Sequence, residues 1–203
     1  MSYMPTKEMK TIGLTGIMGA GKSTAIKILK EEGITVLDCD QINAQLLQQK
    51  EKGYCELIQT FGDSLLDENN DIDKKKMSNL IFSNIDKKKI AEAILHPLIK
   101  QKIKLEIQKH KDEELIVVEV PLLFEVHWES FFDEVWVVSS KEDILLDRLE
   151  KYRNISKDEA KRRLAHQMPL KEKEARADVV LYNNSDRENF KSSIRDILKT
   201  YRG

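Results

Sequence analysis

An open α/β sheet is the fold that this chain predicts. Five short apolar runs supply the strands, helical periodicity fills the intervals, and a glycine-rich stretch joins the first strand to the first helix. The strands read as Thr11–Thr15, Ile34–Asp38, Leu115–Val120, Glu134–Val138 and Asp178–Tyr182. The third is the clearest, because Ile116, Val117, Val118 and Val120 are β-branched.

The glycine-rich stretch carries the chemistry. Gly16-Ile-Met-Gly-Ala-Gly21-Lys22-Ser23 fits G-x-x-x-x-G-K-[ST]. Gly16, Gly19 and Gly21 let the backbone turn and approach a polyphosphate without a Cβ in the way. Loop amides and the start of the next helix then face the phosphate oxygens. Lys22 is expected between the β- and γ-phosphates, with Ser23 ligating Mg²⁺ and Ala20 and Thr24 completing the ATP contacts. The context agrees with the pattern. A buried strand precedes it, and Thr24–Glu32 is helical up to Gly33.

Bulk properties narrow the class. The 203 residues suffice for one domain, or one core with inserted parts, and 40% are hydrophobic against 34% charged. A net charge of −1 argues against a dedicated nucleic-acid binder. Cys39 and Cys55 lack metal-ligand spacing and are expected reduced. Met1-Ser-Tyr-Met-Pro5 has no apolar leader core, and no run approaches membrane-spanning length. A cytoplasmic protein without a membrane partner is the expectation, and a monomer is favoured.

Along the chain, the second strand ends in Asp38-Cys39-Asp40 and leads into a helix over Gln41–Gln49. Ligands of open α/β sheets bind beyond the carboxyl ends of the strands, so both aspartates are candidates for the proton acceptor of a kinase. Spacing alone does not choose between them, and either can serve as a helix cap. Helical segments fill 53–114, with breaks at Gly62, Asn69-Asn70 and Pro97. Lysine clusters 74–76 and 87–89 read as solvated helix faces. Glu119, near the end of the third strand, stands where a carboxylate would hold Mg²⁺ or its water shell. Lys141–Lys151 and a second helix capped by Ser156 and Glu159 form a charged pair. They read as a lid carrying Arg148, Arg153, Arg162 and Arg163. A final capped helix spans Ser185–Tyr201.

Taken together, these motifs resemble the dephospho-coenzyme A kinase family over nearly the whole chain. The resemblance rests on Ile12–Gly16 with Gly19–Thr24, Val36–Asp40, Ile72-Asp73 with Phe82, and His96–Ile99. It continues through Val118–Glu125, Arg148 with Arg153, Ala165–Gln167, Ala177-Asp178 and Asn183. It implies a three-layer P-loop kinase fold with a parallel five-stranded sheet, read as one domain. The core would take residues 10–40, 115–140 and 176–203, the helical acceptor-binding insertion 41–114, and the lid 141–175. It implies transfer of the ATP γ-phosphate to the ribose 3′-hydroxyl of dephospho-CoA. Catalytic roles then fall on Asp40 as base, Lys22 and Arg148. ATP contacts fall on the loop with Arg148 and Arg153, and acceptor contacts on Asp40, His96, Leu122 and Glu125. Ser23, Asp40 and Glu119 are the expected Mg²⁺ set.

Three departures from the family pattern stand out. Ile17 replaces an early loop glycine, Ala44 stands where an arginine is usual, and Lys74 replaces the arginine of a Leu-Asp-Arg element. Lysine keeps the charge but not the bidentate fork, so the last two bear on the acceptor rather than on ATP. Another small-molecule kinase is the nearest rival reading. A guanine-nucleotide switch expects Asn-Lys-x-Asp, whereas the chain has Asn183-Asn-Ser-Asp186.

Overall fold

The computed structural model describes residues 9–202. Five strands form one sheet: β1 (Lys10–Gly16), β2 (Thr35–Asp38), β3 (Leu115–Glu119), β4 (Glu134–Ser139) and β5 (Val179–Tyr182). Their order is β2-β3-β1-β4-β5, with parallel pairing of β1 to β3, β1 to β4 and β4 to β5. The chain leaves β1 for one edge, returns to β3, and crosses to β4 on the far side. That reversal around β1 makes its carboxyl end the place where such a sheet opens for a ligand.

Alternation along the strands builds two buried faces. Ile12 and Leu14 of β1 share a face with Leu115 and Val117 of β3 and with Trp136 and Val138 of β4. Against that face pack Ala25, Ile28 and Leu29 of α1 (Lys22–Glu31) and Phe190, Ile194 and Leu198 of α9 (Arg187–Lys199). On the other face, Leu123 and Phe132 lie against Gly13. Strands buried on both faces read as continuous apolar runs, which is how β1, β3 and β4 were visible, whereas β2 and β5 are only partly buried.

By their internal contacts, the residues up to Leu37 and from Lys111 onward form one compact unit, and Asp38–His110 form the second. The regular structure of the second is helical, apart from an isolated bridge between Leu66 and Ile72. It contains α2 (Cys39–Leu46), α3 (Lys52–Phe61), α4 (Lys74–Ser83) and α5 (Ile85–Gln108). In α5, Ala91, Leu95, Leu98, Ile99 and Ile103 are buried, and the helix packs against α2, α3 and α4.

Three details of the sequence reading change. Pro97 does not end a helix, since α5 runs through it. Proline there removes one backbone donor, and the buried stripe on both sides of it outweighs that loss. Asp38 and Asp40 do not share a strand end, because α2 starts at Cys39. The final helix takes Asp186, not Ser185, as its cap, with the carboxylate accepting the amide of Asn189 at 2.9 Å. Beyond α6 (Glu142–Arg153) and α7 (Lys157–Leu164) lies a third short helix, α8 (Leu170–Ala175). The stretch read for a leader, Met1–Pro5, lies outside the described residues. Among the described residues, no helix is long and apolar enough to cross a membrane.

Candidate active site

The loop between β1 and α1 sets the geometry. Gly16 has φ 151° and Gly21 φ 100°, both positive values at which a side chain is strained. A Cβ on Gly16 would stand 2.5 Å from the Val138 carbonyl oxygen of the neighbouring strand, and one on Gly21 would collide with the Asn183 amide. Gly21 caps α1 without any side-chain hydrogen bond, and the first turn holds no acidic residue. The positive end of the helix is thus left for an external anion. Lys22 folds back along the loop, its Nζ donating to the Gly16 carbonyl at 2.8 Å and to the Ile17 carbonyl at 3.4 Å. An ammonium held by its own loop's carbonyls stays at the loop instead of sweeping through solvent.

The loop opens into a cleft of about 430 Å³. Gly19, Gly21, Lys22, Ser23 and Thr24 line one side, and Arg148, Tyr152 and Arg153 of α6 another. Glu119, Pro121 and Gln167 also line it, with Ile17, Met18 and Leu149. Glu119 pairs in register with Leu14, two residues before Gly16, and by alternation shares the face of Leu115 and Val117. Register therefore carries its carboxylate to the loop.

Arg148 is positioned by a polar hub that the sequence reading had not placed in the site. Its Nη2 donates to Asn183 Oδ1 at 3.2 Å, and its Nη1 to Ser140 Oγ at 3.3 Å. Ser140 Oγ donates in turn to the Asn183 carbonyl at 3.0 Å, and Asn183 Nδ2 to the carbonyl of Ala20 at 3.1 Å. One buried amide thus ties the loop to the arginine facing the cleft. Burial lowers the guanidinium's pKa from its ordinary value, while Tyr152 acts in the opposite sense. It remains a cation at neutral pH. Gln167 was also absent from the expected site. Its Oε1 accepts the Met18 amide at 3.1 Å. The only sequence signal for Asn183 and Gln167 was their place in the family pattern.

The oxygen donors suit Mg²⁺. Among the described residues, no cluster of three or more His, Cys, Asp or Glu side chains could hold a metal by itself. Mg²⁺ does not need one, since it commonly takes one or two protein oxygens and completes its shell from phosphates and water. Exposed Ser23 offers a hydroxyl and Glu119 a carboxylate to the same cleft.

Other expected residues lie apart from this lining. Leu122 is exposed. Glu125 does not line the cleft, but pairs with Lys173 Nζ at 2.8 Å to Oε1 and accepts the Met168 amide at 3.2 Å. In the helical unit, Asp38 caps α2 by accepting the Gln41 amide at 3.0 Å, which spends one carboxylate of the pair on the backbone. Asp40 lies in the first turn of that helix and is exposed. His96 is half-buried in α5, and burial holds its imidazole below the ordinary value against the opposing charge of Glu92.

A phosphate loop at the switch point of a parallel sheet, faced by arginines on a helix after β4, defines a P-loop kinase. The sequence-family model for dephospho-CoA kinase matches residues 10–189, and the chain belongs to that family. A dephospho-CoA kinase of Streptococcus agalactiae is 37% identical over 191 residues, covering 94% of this chain and 98% of the relative. Among solved structures, a Thermus thermophilus protein superposes with a TM-score of 0.81 at 29% identity, over 96% of this chain and 98% of its own. Dephospho-CoA kinase from Campylobacter jejuni gives a TM-score of 0.69 at 27% identity, over 93% and 95%.

Proposed function

We propose that this protein transfers the γ-phosphate of ATP to the ribose 3′-hydroxyl of dephospho-CoA, releasing ADP and CoA in the last step of CoA biosynthesis. The observation that carries the phosphoryl-transfer part is the cleft where Lys22, Arg148 and Glu119 meet the open end of α1. The acceptor follows from family membership.

Each residue has an electrostatic or positioning task, which is most of what this reaction requires. Lys22 and the loop amides hold the β- and γ-phosphates. Arg148, braced by Asn183 and Ser140, offsets charge on the equatorial oxygens, with Arg153 beside it. Ser23 and Glu119 would hold Mg²⁺, which neutralises phosphate charge when bound. Asp40 takes the proton from the attacking hydroxyl, a role supported by its exposure and its position two residues after the end of β2. His96 belongs to acceptor binding, on the family pattern. Cys39 and Cys55 are not joined in a disulfide, and Cys55 is exposed, which suits a reducing cytoplasm.

The test is ADP release with Mg-ATP and a panel of dephospho-CoA, nucleosides, nucleoside monophosphates and no acceptor. ADP formed only with dephospho-CoA, together with a product of the mass of CoA, is the expected result. Turnover with another acceptor alone would overturn the substrate and leave the phosphate chemistry standing. A Lys22→Ala variant should lose ATP binding and turnover together, as read by calorimetry and the same assay.

A further inference from the structure

The ion pair of Glu125 and Lys173 lies outside the cleft, yet its hydrogen bonds lead to the phosphate loop. Lys173 of α8 is completely buried, and its Nζ reaches both Glu125 oxygens, at 2.8 Å and 3.0 Å. The same ammonium stands 5.9 Å from the Phe124 ring centroid. Glu125 Oε1 also accepts the amide of Met168. The preceding residue, Gln167, accepts the amide of Met18 in the loop through its side chain. Adjacent residues of one short connection are therefore pinned at opposite ends, one to the ion pair and one to the phosphate loop.

We propose that Gln167 is a positioning residue for the nucleotide site, and that the Glu125–Lys173 pair is the anchor that holds it in place. The inference rests on the phosphoryl-transfer reading of the cleft and extends it from Gln167 in the lining to Glu125 and Lys173 outside it. Three physical points support it. Met18 is the third residue of the loop, so fixing its amide fixes the curve that presents the following amides to phosphate. A side chain between α7 and α8 gains that precision only if its own backbone is held, and the Glu125 carboxylate supplies the hold. A completely buried cation with a carboxylate is a poor source of net stability, which favours geometry as the use of this pair. Glu125 then acts through Met168 and Gln167, and not as an acceptor contact.

The experiment measures ATP affinity by calorimetry, KM for ATP and for dephospho-CoA, and thermal stability. The variants are Gln167→Ala, the paired replacement Glu125→Leu with Lys173→Met, and the triple combination. Replacing both charged partners avoids stranding a buried charge, so the paired variant keeps a fold on which binding can be read. Gln167→Ala is expected to weaken ATP binding roughly two- to ten-fold, the range for losing one neutral hydrogen bond. The paired variant should weaken it similarly, with KM for dephospho-CoA unchanged. The triple variant should be no worse than the weaker of the two, because both act on one connection. Fully additive losses, or unchanged ATP affinity in the paired variant, would overturn the proposal. A rise in KM for dephospho-CoA with ATP affinity intact would return Glu125 to the acceptor. Calorimetry with ATP alone reads the anchor whichever acceptor the enzyme uses, so failure of the substrate assignment stays separate.

Discussion

Replacing Asn183 with alanine tests the brace behind the arginine. The residue is buried, with only 4% of its surface exposed, and its side chain makes two bonds of different kinds. One is neutral, from Nδ2 to the Ala20 carbonyl, and contributes about 1 kcal/mol. The other accepts from the Arg148 guanidinium and, as a bond to a charged group, contributes about 2 kcal/mol. Arg148 keeps its contact to Ser140, so its charge is not stranded. The sum is about 3 kcal/mol, which for a chain of this size lowers the unfolding midpoint by about 6–12 °C. ATP affinity and turnover should fall with it, since the loop carbonyl and the cleft arginine lose the same support. Thermal unfolding and calorimetry on one preparation give both numbers. Asn183→Asp isolates the Ala20 bond, because a carboxylate still accepts from Arg148 but has no proton for the carbonyl. A midpoint within about 2 °C of the parent in Asn183→Ala, with ATP affinity unchanged, would refute the hub.

Three further outcomes are expected. Asp40→Asn should leave ATP binding intact and lower turnover by roughly 10²-fold or more, measured as ADP release; near-parental turnover would remove Asp40 from the role of base. Burial works to raise the Glu125 pKa, but the hydrogen bond from Lys173 and the backbone amides of Glu125 and Met168 outweigh it and hold the carboxyl below its ordinary value. Its folded pKa is thus depressed, so its contribution is fully present above an unfolded value of about 4.3 and is lost as pH falls through the lower folded value. Acid unfolding should be less steep in the paired Glu125→Leu, Lys173→Met protein, and an identical acid limb would contradict this. Pro97→Ala restores a donor inside α5 and should stabilise the protein by about 2 kcal/mol, the helix gain less the added freedom of the unfolded chain. A lower urea midpoint would show that the packing of α5 depends on the proline.

What was legible from the sequence was what short range determines. All five strands were visible as short, mostly apolar runs, most clearly β3 and β4, which are buried along nearly their whole length, and the phosphate loop because its spacing is itself the mechanism. The cap of α7 was equally local, with Ser156 Oγ accepting the Glu159 amide three residues on. Where two local rules competed, the sequence could not rank them. Pro97 breaks helices by propensity, but the stripe from Ala91 to Ile103 is buried by contacts with three other helices, and tertiary packing won. Asp38 and Asp40 looked equivalent as strand-end acids until α2 began at Cys39, which made one a cap and left the other exposed.

The residues that organise the cleft were hidden for a different reason. Asn183 meets Ala20 across 163 positions, Gln167 meets Met18 across 149, and Lys173 meets Glu125 across 48. No periodicity marks such pairs, and a lysine in the charged run Lys171-Glu-Lys-Glu174 gives no sign of being the one that is completely buried. Chemistry that touches the phosphates must use particular residue types at fixed spacing, and so it is written as a motif. The groups that aim it need only arrive at the right place in the fold, from wherever the chain happens to pass. The loop therefore announces the reaction, while in the proposed reading the accuracy with which Lys22 and Arg148 would meet a nucleotide is set by amides and an ion pair drawn from the second half of the chain.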